Sequence, residues 1–200
     1  MAPNGIMRGR LVRRALLLGA IAMGMAISLG ACGGGSGSTT TVQEKEADAK
    51  VLNEILGRQL AAASAYAQVL PKLKGADLAA AREFRAQEQE HVDATTKVLQ
   101  KTGTEADPPA ETIETNELKT QRDALTFLYE MESATIDAEL DAIGKLHLAW
   151  PRPQLATMAA NQAQRLVLIR RALGAAPLET VPQAFETGET PAPEGMMKKP

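Results

Sequence analysis

The chain has few of the residues from which most reactive sites are built. Its 200 residues include one Cys, two His and six aromatic side chains. A single Cys excludes an intrachain disulfide and a thiolate zinc site, and two His exclude a three-histidine metal centre. So few aromatics argue against a stacking platform for bases or sugars. The pI near 5.8 indicates no basic patch of the kind that nucleic-acid binding requires, so no nucleic-acid partner is expected.

The first 31 residues differ from the rest in their charge. Residues 1–14 carry four Arg and no acid, residues 15–31 are uncharged and mostly apolar, and Cys32 follows Leu29-Gly30-Ala31. This order is typical of a secretory signal, and the apolar run is short for a membrane span of about 20 residues. It resembles a bacterial lipoprotein signal, which implies that Cys32 is lipidated and becomes the new N-terminus. We therefore expect an extracytoplasmic protein that its N-terminal lipid anchors to the cell membrane.

The remaining sequence divides by composition into a tether, a folded domain and a tail. Residues 32–43 are rich in Gly, Ser and Thr, which is typical of a flexible tether. Residues 44–176 form the predicted domain, and residues 177–200 form a Pro-rich tail. Arg13-Arg14 also resembles a twin-arginine export signal, so two export routes stay open.

The composition of the central domain predicts an all-α fold. Gly and Pro cluster at only a few places, and good helix formers fill the stretches between them. Four helices are predicted, at roughly 44–72, 77–102, 114–149 and 153–173. Short joints make helices one and two, and helices three and four, antiparallel hairpins. The longer joint from Gly103 to Ile113 allows either an end-to-end crossover or a simple loop.

Each predicted helix carries an apolar stripe that polar residues interrupt near its middle. Spacings of three and four residues place these polar residues on the same face as the Leu, Ile and Phe of the stripe. If the stripes face one another, the interruptions meet in one buried polar layer. Its members are Gln59 on helix one, Glu88 and His91 on helix two, Glu132 on helix three, and Gln162 and Arg165 on helix four.

The segments around these polar positions resemble the four core helices of ferritin-like domains. They run from Leu52 to Tyr66, from Glu88 to Val92, from Glu132 to Ile136 and from Asn161 to Arg165. The likeness is greatest to secreted or lipid-anchored bacterial members and covers about residues 45–188. It implies a ferritin-like four-helix bundle. In metal-binding members, helices one and three each give a Glu, and helices two and four each give a Glu-x-x-His, which together hold two metal ions.

This chain departs from that implied ligand set at three positions. It keeps Glu88, His91 and Glu132, but has Gln59 for the helix-one Glu, Gln162 for the helix-four Glu, and Arg165 for the helix-four His. A guanidinium bridges carboxylates well and cannot ligate a cation. We therefore expect a salt-bridge and amide network in place of the metal pair, and no cofactor. The alternative is one iron or manganese ion held by Glu88, His91 and Glu132 as a facial triad.

These expectations favour a non-catalytic structural or binding module of the cell envelope, acting as a homodimer or through an envelope partner. The second hypothesis is an oxidase or iron-handling protein that uses the remaining half-site. A carrier of a small ligand in the bundle core is a third. Glu139, seven residues after Glu132, is expected at an exposed position, with a spare carboxylate for the layer as its alternative.

Overall fold

The computed structural model describes residues 40–111 and 113–180, and these form a four-helix bundle. The helices are α1 (Val42–Val69), α2 (Gly75–Thr102), α3 (Gln121–Lys145) and α4 (Arg152–Ala172), with a 3-10 turn at Leu70–Lys72. Within these ranges there is no strand, and no helix is long and apolar enough to cross a membrane. The all-α prediction is confirmed. The predicted signal, Cys32 and the last twenty residues lie outside the described part of the chain.

Local sequence explains where α1 and α3 begin and where α2 ends. Capping boxes start α1 and α3, in which Thr41 pairs with Glu44 and Thr120 with Asp123. Gly103 ends α2 with a φ of 81°, a left-handed conformation that favours glycine. The predicted start of the third helix at residue 114 is therefore wrong, because the capping signal lies at Thr120.

The third helix also ends earlier than residue 149, where the sequence predicted its end. Asp48 of α1 is fully buried and accepts hydrogen bonds from the backbone N–H groups of His147 and Leu148, both at 2.7 Å. Its Oδ1 also lies 3.0 Å from Nδ1 of His147. These bonds hold the α3–α4 connection in a non-helical conformation against α1.

The connection between α2 and α3 is a crossover, which decides between the two topologies that the sequence left open. We call residues 103–120 the strap; Thr112 within it is not described. The strap runs along α1, where Asn53 accepts from the Asp107 N–H at 2.8 Å and Gln68 accepts from the Thr115 hydroxyl at 2.7 Å. It delivers Gln121 to within 2.7 Å of Asp77, so α2 and α3 begin at the same end of the bundle.

Gly57 lets the strap approach α1 closely. A Cβ atom at this position would lie 2.7 Å from the carbonyl oxygen of Pro109, a distance at which one of the two groups has to move. Gly is otherwise unfavourable inside a helix, so its presence here is explained by the contact with the strap.

The core consists of two apolar clusters with a polar layer between them. One cluster contains Tyr66, Phe84 and Leu128, and the other contains Leu52, Leu99 and Leu155. Both clusters form between packed helices. Helix α1 packs against α2 and α3, and α4 packs against α3 and, less extensively, against α2. The polar layer therefore lies in the middle of the bundle.

Candidate functional site

All four helices supply polar side chains to the buried layer, as the spacing predicts. Gln59, Glu88, Glu132, Gln162 and Arg165 are each at most 2% exposed. His91 is nearly buried, with 12% of its side chain exposed. Tyr66 and Glu139 are also fully buried in this layer, and we divide its buried residues into two tiers by their contacts. The Arg165 tier comprises Tyr66, Glu88, Glu132 and Arg165, and the Glu139 tier comprises Gln59, Glu139 and Gln162.

Arg165 is the centre of the first tier. Its Nη1 contacts Oε1 of Glu88 and lies 3.0 Å from Oε1 of Glu132. Its Nε donates to Gln87 at 3.1 Å and its Nη2 to Asn161 at 2.7 Å. Each nitrogen of the guanidinium thus has a partner, which is the condition under which a buried charge is tolerated.

Tyr66 completes this tier from α1. Its hydroxyl donates to Oε1 of Glu132, the same oxygen that Arg165 contacts. The Tyr66 ring packs edge to face against Phe84, with centroids 6.2 Å apart. Because of this packing the hydroxyl has a fixed direction toward Glu132.

Burial and nearby charges oppose each other in setting the pKa of Glu88, Glu132 and Arg165, but both raise the pKa of Tyr66. Burial, opposed in part by Arg165, raises the pKa of Glu132 to about 7. Burial alone would also raise the pKa of Glu88, but contacts with His91 and Arg165 lower it below its ordinary value. Burial, together with the charge of Glu132, raises the pKa of Tyr66. Burial works against the charged form of Arg165, yet the two carboxylates raise its pKa.

Glu139 is a member of the buried layer, and its expected exposed position is wrong. Its side chain is fully buried, and Nε2 of Gln59 donates to its Oε1 at 3.2 Å. Burial raises the pKa of Glu139 to about 8. The sequence held a signal for this position, because Glu139 lies two helical turns after Glu132 and therefore on the same face of α3.

The other members of the second tier are held by weaker contacts. Nε2 of Gln59 also lies 3.4 Å from the sulfur of Met158, and Nε2 of Gln162 lies 3.4 Å from Oε1 of Glu88. Met158 lies one turn before Gln162 on the same face of α4. The tier thus joins all four helices through amide groups, whereas a guanidinium joins the first tier.

Several buried polar atoms of the layer have no hydrogen-bond partner within the described residues. Nδ1 of His91 is among them, and it lies 3.4 Å from Oε1 of Glu88. The unpartnered oxygens are Oε1 of Gln59, Oε2 of Glu88, Oε2 of Glu132, Oε2 of Glu139 and Oε1 of Gln162.

A pair of metal ions between Glu88 and Glu132 does not fit this arrangement. Nη1 of Arg165 contacts both carboxylates and so lies where a shared cation would have to lie. In the part of the chain that the structure describes, no group of three or more His, Cys, Asp and Glu is arranged to hold a metal ion. The sequence-predicted half-site residues are therefore neighbours, but a positive charge separates Glu132 from the other two.

A groove opens between α2 and α4 beside this layer. It has a volume of about 460 Å³, and its lining includes Gln87, His91, Met158 and Asn161. Gln87 and Asn161 are the residues that accept hydrogen bonds from Arg165. The groove therefore connects solvent with the buried layer.

Comparisons with known proteins identify the family. A family model described as a ferritin-like domain matches residues 47–175. A search of curated protein sequences finds no match. Among solved structures, the chain is similar to a ferritin-like, diiron-carboxylate protein from Bacillus anthracis str. Ames, with 17% identity and a TM-score of 0.56. That similarity covers 67% of this chain and 100% of the other, and it concerns the fold alone. The chain therefore belongs to the family of ferritin-like domain proteins.

Proposed function

We propose that this chain is a non-catalytic ferritin-like module of the cell envelope, in which Arg165 replaces a pair of metal ions. The observation that supports this most is the position of Nη1, in contact with Glu88 and Glu132. In a diiron-carboxylate protein the metal ions draw such carboxylates together. In this bundle the guanidinium of Arg165 attracts Glu88 and Glu132 instead, and a guanidinium cannot ligate a metal ion.

The geometry around Arg165 supports a structural role for the layer. The guanidinium reaches side chains on α2, α3 and α4, and Tyr66 links α1 to Glu132. A network of this kind fixes how helices pack against one another, since an unpaired buried charge penalises alternative packings. The proposed role is to hold the bundle in a defined shape for binding a partner or a second copy.

Iron loading tests this proposal. The purified protein is given Fe(II) without oxygen, its iron content is measured, and oxygen is then admitted while absorbance from oxidised iron is followed. We expect substoichiometric iron and no oxidation phase. Two irons per chain with rapid oxidation would overturn the proposal.

A matched variant shows whether the assay can detect a site in this bundle. The triple change Gln59→Glu, Gln162→Glu and Arg165→His restores the ligand types that the family resemblance implies at these positions. We expect this variant to bind iron where the wild type does not. If neither protein binds iron but the variant is folded, the replaced residues are not what prevents binding.

The second candidate function is an iron- or manganese-binding oxidase or iron-handling protein. It is favoured by the unpartnered atoms Oε2 of Glu88, Oε2 of Glu132 and Nδ1 of His91, which together make a two-carboxylate, one-imidazole donor set. Under this candidate Glu88→Ala removes stoichiometric iron or manganese from the purified protein. Under our proposal there is none to remove.

We further propose that lipid on Cys32 anchors the module to the outer face of the cell membrane. The support is the order of basic segment, apolar segment and Leu29-Gly30-Ala31-Cys32. Mass spectrometry of the mature N-terminus would detect the acyl groups. The variant Cys32→Ser is expected to leave the membrane fraction; if it remains there as fully as the wild type, this part of the proposal is wrong.

A further inference from the structure

One end of the bundle carries exposed apolar and aromatic groups. We call it the Trp150 end, and it comprises residues 42–50 of α1, 95–102 of α2 and 146–152 around the α3–α4 connection. Val42 is 72% exposed and Trp150 is 39% exposed. The other exposed large hydrophobic side chains of the described residues are spread singly over α1, α3, α4 and the segment after α4. Single exposed apolar residues of that kind are normal on a protein surface.

Contacts between elements bring the parts of the Trp150 end together. Asp48, in the second turn of α1, accepts hydrogen bonds from the backbone N–H groups of His147 and Leu148. Nζ of Lys101, in the last turn of α2, lies 4.4 Å from the centroid of the Trp150 ring. The start of α1, the end of α2 and the α3–α4 connection therefore meet here, and Trp150 has a defined position on this end.

The pair of Trp150 and Lys101 has the chemistry of a membrane interface. An indole ring is apolar over most of its surface and carries one N–H donor. Trp is enriched where the hydrocarbon of a bilayer meets the headgroups. A Lys side chain lays its methylene stem along apolar surface while its ammonium stays in a polar environment. Lipid phosphate is a suitable partner for that ammonium.

Charge at the Trp150 end also favours headgroup phosphate. Its exposed charged residues are four Lys and one acid, namely Lys45, Lys50, Lys97, Lys101 and Glu46. Of the other two acids, Glu44 is half-buried and engaged in the capping box with Thr41, and Asp48 is buried under the α3–α4 connection. The chain as a whole holds more acids than bases, 24 against 22, so this end differs in charge from the rest of the molecule.

The covalent route to Cys32 also begins at this end. Val42, the first residue of α1, follows Cys32 by ten residues, a length of chain that reaches at most about 35 Å. As the Gly-rich tether that its composition predicts, it would span about 15–20 Å on average. The 28 residues of α1 make a helix about 42 Å long. A bundle standing on its other end would therefore hold Val42 beyond the reach of a lipid on Cys32.

We propose that the Trp150 end rests on the lipid bilayer to which Cys32 is anchored, with the Trp150 ring in the headgroup region and the Lys101 ammonium on lipid phosphate. This inference rests on the proposed lipid anchor and adds the orientation of the bundle. Because tethering makes the contact intramolecular, a surface too weak to bind membranes by itself is sufficient. The C-terminal end of α4 then faces away from the membrane.

Fluorescence of Trp150 tests this contact without a label, because the chain has no other Trp. The acylated protein is purified from membranes and reconstituted into vesicles of phosphatidylcholine and phosphatidylglycerol, with or without lipids that carry bromine near the headgroup. Brominated lipid quenches a Trp that touches it. We expect loss of Trp150 emission in brominated vesicles and an emission maximum at shorter wavelength than in detergent-free buffer without lipid. Equal emission in both kinds of vesicle would overturn the proposal.

A relocated reporter shows whether the contact belongs to this end. The double variant Trp150→Phe and Leu178→Trp moves the only Trp to the segment after α4, where Leu178 is 91% exposed. The 21 residues of α4 separate the two positions by about 31 Å. We expect no quenching of the relocated Trp. Equal quenching at both positions would mean that the bundle lies along the membrane, and would overturn the assigned end.

A charge variant tests the role of Lys101. Lys101→Gln should lower the ratio of docked to undocked protein about fivefold, the contribution of one basic residue near an anionic lipid surface. Lys74→Gln makes the same change on an exposed residue at the other end of the bundle and should leave the quenching unchanged. An equal loss in both variants would assign the effect to overall charge and contradict the proposed contact.

Two further measurements separate the other possible outcomes. A shift of Trp150 emission that grows with protein concentration in the absence of lipid would mean that a second copy covers this end, and would overturn the proposal. Mass spectrometry of the same preparation reports on the anchor. Acyl groups on Cys32 without quenching would overturn the orientation and keep the anchor, whereas a protein without acyl groups would overturn both. The oxidation of added iron decides the non-catalytic role independently.

Discussion

The two polar tiers lie next to each other in one bundle core and differ in what neutralises them. In the Arg165 tier, a guanidinium and a phenol give hydrogen bonds to two carboxylates. In the Glu139 tier, the amides of Gln59 and Gln162 are the donors, and no cationic side chain of the described residues pairs with Glu139. One carboxylate oxygen each of Glu88, Glu132 and Glu139 keeps no partner. The comparison teaches that carboxylates buried to the same degree can differ in whether a charged donor compensates them.

Removing the guanidinium should have the largest effect, because it would leave the first tier as uncompensated as the second. We expect Arg165→Met to lower the free energy of unfolding by about 3–5 kcal/mol, the usual result of breaking a buried pair. Urea unfolding at pH 7, followed by far-UV circular dichroism, measures it. Adding Glu88→Gln and Glu132→Gln should restore most of the loss. A loss below about 1 kcal/mol would show that the carboxylates do not need Arg165.

The pH dependence of the free energy of unfolding should show the second-largest effect, and it involves one carboxylate from each tier. The folded-state pKa is about 7 for Glu132 and about 8 for Glu139, against an ordinary value of 4.5. Between these values the folded protein binds more protons than the unfolded chain, so stability in a chelating buffer should be highest near pH 4.5 and fall as the pH rises toward 8. The slope is at most about 1.4 kcal/mol per pH unit for each group.

Glu139→Gln should remove the contribution of the second tier to that slope. We expect the variant to be more stable than the wild type at pH 8, with a smaller difference at pH 5. Urea unfolding at several pH values in the presence of a chelator measures both. An unchanged slope would contradict the raised pKa of Glu139 in the folded protein.

The smallest expected effect comes from one donor of the first tier. Tyr66→Phe removes the hydroxyl that donates to Glu132 and keeps the ring contact with Phe84. We expect a loss of about 1–3 kcal/mol in the free energy of unfolding, as for a hydrogen bond to a charged group. Equal stability of the variant, measured by the same urea titration, would show that Arg165 alone satisfies Glu132.

Most of the fold could be predicted from local sequence. The predicted starts at residues 44, 77 and 153 lie within two residues of the observed starts of α1, α2 and α4. The third helix was less predictable, because its composition near residue 114 favours a helix while tertiary contacts with Gln68 hold that segment in the strap. Its end depends on Asp48, which is distant in sequence from the amides that it binds.

The convergence of the polar layer could also be predicted, because helical spacing places its members on inward faces. The partners of each member could not. Spacing alone does not show that Arg165 contacts both Glu88 and Glu132, because that depends on how far α2, α3 and α4 stand apart. Glu139 was missed for a related reason. A single Glu between half-buried Ala138 and exposed Leu140 on α3 is normally solvated, and only the fold shows that it faces Gln59.

The close approach of the strap at Gly57 makes α1 and the strap energetically dependent on each other. A glycine inside a helix weakens it by about 0.5–1 kcal/mol relative to alanine, so α1 is locally less stable by itself than its other residues would make it. The strap contacts Gly57 through Pro109, and its Asp107 N–H donates to Asn53. These contacts must offset the stability that the glycine costs α1. Within the described residues, the strap is also the only covalent connection between the α1–α2 hairpin and the α3–α4 hairpin. Joining the hairpins and completing α1 are therefore one cooperative event, and a bundle without its strap would be left with a weakened first helix.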